Sequence, residues 1–395
     1  MTPAAQRAQL DFVRRSAEEP SSLYFERFLR EGFLSWPSEY RWRFAGLNTW
    51  NGVTRLKQSL RRLARVPDSW RTVLASRSLS LVQLAARCLF RVGQNVLTTD
   101  LSWPTYQRAI EVRASNTGGR ITTIALRENI LRRGWETAEV IDHLTRSFVA
   151  NQCDSIFLPA VDHLGIRVPV REIVDRIKQV AEVRFCLVDA AQAFCHIPLE
   201  DSVACADFII TGSHKWMGAY LPMGIGFWGC SSTREMIQRQ LQRLREHGRL
   251  DDPLLKFTES LDGGRLDSYS ETANLTPLFA CAGAAADGMA SFARESSPDI
   301  VSDHEAIASV PQPPGSWQPL PRSPSLCSRV VLLEPCTPTL RNIHPDTTRR
   351  MWLDAGSIVS AYPGGIVRLS IPRGGLRAGC DTVTTSIETD RSAVS

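Results

Sequence analysis

Lys215 is one of four lysines in a chain of 395 residues whose positive charge is otherwise carried by arginine, and it stands in Ser213-His214-Lys215-Trp216. The apolar run Ala206-Asp207-Phe208-Ile209-Ile210 leads into it. Upstream, Phe185-Cys186-Leu187-Val188-Asp189-Ala190-Ala191-Gln192 reads as a short apolar strand that ends in a carboxylate, with an amide three residues further on. A primary amine and a carboxylate, each just past a strand, are what pyridoxal 5'-phosphate (PLP) chemistry asks of a protein. The lysine holds the cofactor's aldehyde as a Schiff base, and the carboxylate keeps the pyridine nitrogen protonated so that the ring draws electrons from the substrate's alpha carbon. Lys215 and Asp189 fill those roles in this reading. A carboxylate at a buried strand end is costly unless paired, since removing one partner of a buried pair costs about 3–5 kcal/mol. An Asp–pyridinium pair meets that demand.

Positioning such groups needs a sheet, and the chain reads as one. Apolar strands are expected at 71–75, 95–99, 121–125, 155–158, 185–188, 207–211 and 225–228, alternating with amphipathic helices. Between two of them, Ile173, Val174, Ile177 and Val180 recur at helical spacing over 170–181. That pattern is α/β: a mostly parallel sheet sandwiched by helices, in which ligands bind at the carboxyl ends of strands. After Leu275 an Ala-rich helix is expected to lead out of the sheet domain, and the Pro- and Ser-rich stretch 310–328 reads as a loop or linker. A strand at 329–333, a helix around 344–355 and a strand at 367–371 suggest a smaller C-terminal α/β domain. The expected layout is an N-terminal segment 1–50, a large domain 51–275, a small domain 276–378 and a polar tail 379–395.

Composition excludes several classes of function. The length exceeds one ordinary hydrophobic core, so two domains are the default. No window is long and apolar enough to span a bilayer. The first residues lack the apolar stretch of a secretory signal, and Asp11, Glu18 and Glu19 argue against an organellar transit peptide, so a cytoplasmic location is expected. Ten cysteines show no C-x-x-C pair and no Cys/His cluster at zinc spacing, which indicates neither a disulfide framework nor a metal site. The net charge of +5 is modest. The run Arg61-Arg62-Leu63-Ala64-Arg65 has no accompanying nucleic-acid motif and reads as a solvated helix face.

Taken together, Val188-Asp189-Ala190-Ala191-Gln192, Ala206-Asp207-Phe208, Gly212-Ser213-His214-Lys215-Trp216-Met217-Gly218 and Pro222-Met223-Gly224-Ile225-Gly226 resemble the class V aminotransferase-like family of fold-type I PLP enzymes. That family includes cysteine desulfurases, isopenicillin N epimerase and kynureninase. A D-x-x-Q followed by S-H-K at this separation is a specific signal. The resemblance implies a PLP enzyme acting on an amino acid, aminotransferase-like first, with a lyase or epimerase as the alternative. A non-catalytic homologue is disfavoured because Asp189, Gln192 and Lys215 are all present.

The resemblance also assigns further residues. Ser76-Arg77-Ser78 falls where relatives place the phosphate cup at a helix N-terminus, against the plainer reading of an N-cap serine; Arg77 departs from the small residue usual there. Trp103 matches the ring that stacks on the pyridine, rather than a core tryptophan, and Gln192 the amide that meets the phenolic oxygen. His214 belongs to the phosphate and Schiff-base surroundings in relatives, although a histidine alone is often structural. Gly212 replaces a phosphate-binding serine, so that Thr211 or Ser213 must substitute. Arg368, in an R-x-S, matches the arginine whose fork takes the substrate's alpha-carboxylate. Thr272 matches the threonine lent to the neighbouring subunit's phosphate, which implies a homodimer. Three departures narrow the reaction or the pocket. Residues 353–365 hold no cysteine and Cys336 lies too far upstream, which disfavours desulfuration. Ala160 takes the place of a polar ring contact, with Asp162 nearby. The usual opening signature is not recognisable over 22–35.

Overall fold

The structure, a computed structural model, describes residues 1–18, 26–230, 233–247, 251–264, 272–292, 310–315 and 317–371. The tail after Gly379, the final residues of the expected small domain and all of 293–309 therefore lie outside the described residues, as do residues 22–25 of the 22–35 stretch and Ser316.

Seven strands form the main sheet: β1 (Arg71–Ala75), β2 (Asn95–Thr99), β3 (Arg120–Ile124), β4 (Ser155–Pro159), β5 (Phe185–Asp189), β6 (Phe208–Gly212) and β7 (Gly224–Trp228). Their spatial order is β1-β7-β6-β5-β4-β2-β3. Neighbours from β6 to β3 run parallel, and β7 runs antiparallel to both β6 and β1. Strands β4 to β7 are buried at every residue, as expected where helices cover both faces. Successive side chains point to opposite faces. Leu187 and Ile210 thus join Leu81 and Leu89 of the helix Ser78–Val92, whereas Val188 and Ile209 join Ile173, Leu56 and Phe279 on the other side.

The Ala-rich helix does not lead away from the sheet, contrary to the sequence expectation. Thr276–Phe292 packs against the helices Pro3–Glu18 and Val53–Ala64, and Leu278, Phe279, Cys281 and Ala284 are buried in the main core. Its small residues make this possible: a Cβ on Gly283 would lie 2.6 Å from the Ala4 backbone. Phe12 of the first helix stacks on Phe279 at 4.2 Å, and Trp50 meets the same ring at 4.8 Å.

A second, four-stranded sheet has the order β10-β11-β9-β8, all antiparallel. It comprises β8 (Trp317–Leu320), β9 (Val330–Pro335), β10 (Ser360–Ala361) and β11 (Val367–Ser370), with the helix Pro345–Asp354 and its buried Trp352 against it. Here the reading of 310–328 as loop or linker is corrected, because β8 lies inside it. Pro319 is tolerated because β8 is an edge strand among the described residues, where a missing N–H interrupts no ladder.

This small sheet is seated directly on the large domain. The Arg329 N–H donates to His196 Nε2 at 3.0 Å, and the Arg167 N–H donates to the Leu326 carbonyl at 2.9 Å. Gly165, with φ +100°, lies so close that a Cβ there would fall 1.8 Å from the Val330 carbonyl oxygen. Only glycine combines that dihedral with that approach. No helix among the described residues is long and apolar enough to cross a membrane.

Candidate active site

Where β2, β4, β5 and β6 end, the small sheet overhangs a cavity of about 400 Å³. Its walls include Asp189, Gln192, His214 and Lys215 from the large domain, and Tyr362 and Arg368 from the small one. The residues singled out from spacing alone, Asp189 and Lys215, therefore face one space.

Asp189 is the last residue of β5. Among the described residues its carboxylate accepts one hydrogen bond, from the Ala191 N–H at 2.9 Å. Burial pushes its carboxyl above the usual carboxylate range, with the Ala191 N–H and the Lys215 charge pulling the other way. Lys215 sits on a turn closed by Ser213 N–H to Met223 O at 3.0 Å and Gly218 N–H to Lys215 O at 3.1 Å. Burial lowers its amine below an ordinary lysine, Asp189 opposes that and Arg368 adds to it. Because Lys215 is still exposed through the open side of the cavity, these influences are partly screened.

Gln192 is held from two sides. Its side-chain oxygen accepts from Trp216 Nε1 at 3.1 Å, which leaves the amide NH2 as its donor. Its backbone carbonyl lies 2.6 Å from His196 Nδ1, and the His196 ring stacks on Trp216 at 3.8 Å. Trp103 precedes the helix Pro104–Ser115 and lines the cavity at 46% exposure, so it is not a core tryptophan.

One corner gathers several of the expected phosphate residues. A Cβ at Gly212 would meet His214 Nδ1 at 3.1 Å and Ser78 Oγ at 3.2 Å, so the glycine keeps this corner open. Burial, then the Lys215 and Arg77 charges, lower the His214 imidazole, and it is those two side chains that make the corner cationic. Ser78 Oγ donates to the Thr211 carbonyl at 2.9 Å. Ser213 is buried, and its hydroxyl donates to the Leu221 carbonyl at 3.0 Å, which braces the lysine turn from within. Ser76 is tied up elsewhere: its N–H and hydroxyl both go to the buried Asp252 carboxylate at 3.0 Å, the same group that caps the helix Pro253–Asp262. Thr272 is exposed and is not part of the cavity wall.

Tyr106, Asp162, His163 and Tyr362 also line the cavity, and spacing did not assign them a role. Tyr106 is pushed up to about 12 by burial and the Asp189 charge, with a hydrogen bond to Ser78 acting against them. Asp162 and His163 follow the carboxyl end of β4, and an acid and an imidazole side by side at that place were the available signal. Ala160 itself is buried outside the cavity wall. Among the described residues no three His, Cys, Asp or Glu side chains are grouped as for a metal ion.

Residues 47–250 match the family described as aminotransferase class-V. The chain belongs to this family, whose members are PLP-dependent enzymes, and its cofactor is pyridoxal 5'-phosphate. No curated protein matches the chain in sequence. Solved structures share the fold at low identity. One is alanine–glyoxylate aminotransferase from Nostoc sp., with a TM-score of 0.57 and 16% identity over 80% of this chain and 79% of that one. Another is a phosphoserine aminotransferase from Cytophaga hutchinsonii, with a TM-score of 0.58 and 12% identity over 94% and 90%. A third is the cystine C-S lyase C-DES, whose structure with cysteine persulfide gives a TM-score of 0.58 and 13% identity over 94% and 90%.

Proposed function

We propose that the protein is an aminotransferase-like enzyme that acts on an amino acid and binds PLP through Lys215 Nζ. The observation that carries this reading is the shared cavity of Lys215 and the under-bonded, buried carboxylate of Asp189. The donor set fits the cofactor: an acid at one end needs a cationic N–H, and the cationic corner around Gly212 suits a phosphate dianion. When bound, PLP supplies a protonated pyridine ring that withdraws electrons from the substrate's alpha carbon.

The chain's own residues then divide the work. With PLP bound, Asp189 would keep the ring nitrogen protonated, Trp103 would cover the ring, and the Gln192 amide would donate to the phenolic oxygen. Arg77, Ser78, Ser213 and His214 would hold the phosphate, with Ser213 acting through the lysine turn. Arg368 takes the substrate's carboxylate by its fork. Lys215, whose amine is lowered by burial, would be suited to take the proton from the alpha carbon once the substrate's own amine had displaced its Nζ. The active unit proposed is a homodimer in which Thr272 serves the neighbouring subunit's phosphate. The proposed compartment is the cytoplasm, consistent with free cysteines throughout the described residues. A lyase or epimerase is the second reading, favoured by the additional acid and imidazole, Asp162 and His163, on the cavity wall.

The test is the visible spectrum of the purified protein with PLP added, before and after borohydride, beside Lys215→Ala. A near-visible band in wild type that borohydride fixes to Lys215, and that the variant cannot form, supports the assignment. Wild type that takes up no PLP overturns it.

A further inference from the structure

Past the carboxyl end of β4 the cavity wall holds a pair of polar groups to which the aminotransferase reading gives no work. Asp162 is fixed by its Oδ1, which accepts the Leu164 N–H at 2.9 Å and the Ile166 N–H at 2.8 Å. Its Oδ2 is enclosed and has no hydrogen-bond partner among the described residues. His163 Nδ1 is enclosed in the same way and lies 4.0 Å from that Oδ2. The ring meets Trp103 in a T-shaped contact at 5.5 Å and 72°. Its side chain retains 30% exposure, and with Nδ1 walled in, Nε2 is the nitrogen left to the cavity.

The charges around the ring set its proton. Burial first, then the charges of Arg127, Arg368 and Lys215, lower His163 to about 4. Asp162 is the carboxylate beside it, and is itself pushed up to about 6 by burial. At neutral pH the ring is therefore uncharged and carries one proton. That proton belongs on Nδ1, facing the carboxylate; 4.0 Å is too long for a hydrogen bond, but the attraction still selects the tautomer. Nε2 then offers a lone pair to the cavity. Arg127 does not compensate for it, because its charge is set against Asp162 and its guanidinium donates to the Asp100 carbonyl.

We infer that His163 determines substrate specificity: its Nε2 accepts a hydrogen bond from the substrate's side chain, so the site selects amino acids bearing a neutral O–H or N–H donor over those bearing a second carboxylate. The inference rests on the proposed PLP site, in which Arg368 takes the alpha-carboxylate and the side chain is left to this wall. A carboxylate side chain would bring its own lone pairs against that of Nε2, and a site built to accept a hydrogen bond discriminates sharply against a group that cannot donate one.

The experiment is equilibrium binding to the PLP-loaded protein, read from the cofactor's visible spectrum, with the matched pairs glutamine and glutamate, and asparagine and aspartate. Wild type should bind at least one amide roughly tenfold tighter than its acid, the factor expected of about one net hydrogen bond. His163→Phe should bring that ratio close to one, and His163→Gln, whose amide oxygen still accepts, should restore part of it. Equal or tighter binding of both acids by wild type overturns the inference without any variant. So does a ratio that persists in a folded His163→Phe, with folding checked by thermal melting. Should that variant not fold, the ratio in His163→Ala decides in the same way. Failure of wild type to form the cofactor band would instead sink the PLP reading itself, so the two failures are distinguishable.

Discussion

Asp207 and Asp189 are buried carboxylates at opposite edges of the same two strands, and their surroundings differ in one respect. Asp207, just before β6, accepts the Cys186 N–H at 2.7 Å and the Thr233 hydroxyl at 2.6 Å. Asp189, at the far end of β5, accepts one N–H. Burial raises both above the usual carboxylate range. A carboxylate on the amino edge whose oxygens are both used inside the protein stitches neighbouring segments together. One on the carboxyl edge, with capacity left over and a cavity in front of it, holds that capacity for a ligand. The desolvation cost is common to both, and what differs is which partner offsets it.

Exchanging the two carboxylates for uncharged groups should separate these roles. Asp189→Asn should lower turnover by roughly a thousandfold, about 4 kcal/mol of transition-state stabilisation. The urea midpoint of the cofactor-free variant at neutral pH should match or exceed wild type. The sign follows from linkage: a carboxyl whose folded pKa is raised loses stability as pH rises through it, and the variant has no such loss. A cofactor-free variant clearly less stable than wild type would show that Asp189 also stitches. Asp207→Ala should do the reverse. It orphans a buried N–H and a hydroxyl, so urea unfolding should show a loss of about 2–3 kcal/mol. The cofactor band per folded molecule should not change.

The smallest effect concerns Asp162 and His163, whose pH dependences oppose each other. Asp162, raised to about 6, favours the folded state at low pH and loses that contribution as pH rises through about 6. His163, lowered to about 4 from its ordinary 6.5, contributes stability above 6.5 and loses it as pH falls toward 4. The wild-type protein should therefore show little net slope from this pair between pH 4 and 6. Asp162→Asn and His163→Phe should each expose the other's slope, in opposite directions and on the order of 1 kcal/mol. Urea midpoints at pH 5 and pH 8 measure it, and parallel shifts in the two variants would contradict the assignment.

The parts of the molecule that follow local rules were legible in the sequence. β1 and β2 fall where the apolar runs placed them, and the other expected strands of the main sheet lie within a residue at either end. Asp189 and Lys215 could be found because parallel strands announce their carboxyl ends. What escaped was decided by distant partners. No local signal shows that Asp252 reaches across to Ser76, or that β8 can form through Pro319 because β9 lies on one side of it only. The Ala-rich helix was misplaced because small residues read locally as a weak apolar face. Their purpose is close packing against the Ala4 backbone, which the distant first helix supplies.

Gly165 sets the spacing between the two walls of the cavity. It belongs to the loop that carries Asp162 and His163, and it lies against the Val330 carbonyl at the start of β9, with no room between them for a Cβ. β9 pairs directly with β11, which bears Arg368. The loop that carries His163 and the strand that carries Arg368 are thus both seated against β9, and the distance between the two side chains is set through that one strand. Any side chain at position 165 would push the two walls apart, so the width of the cavity depends on a residue that has none.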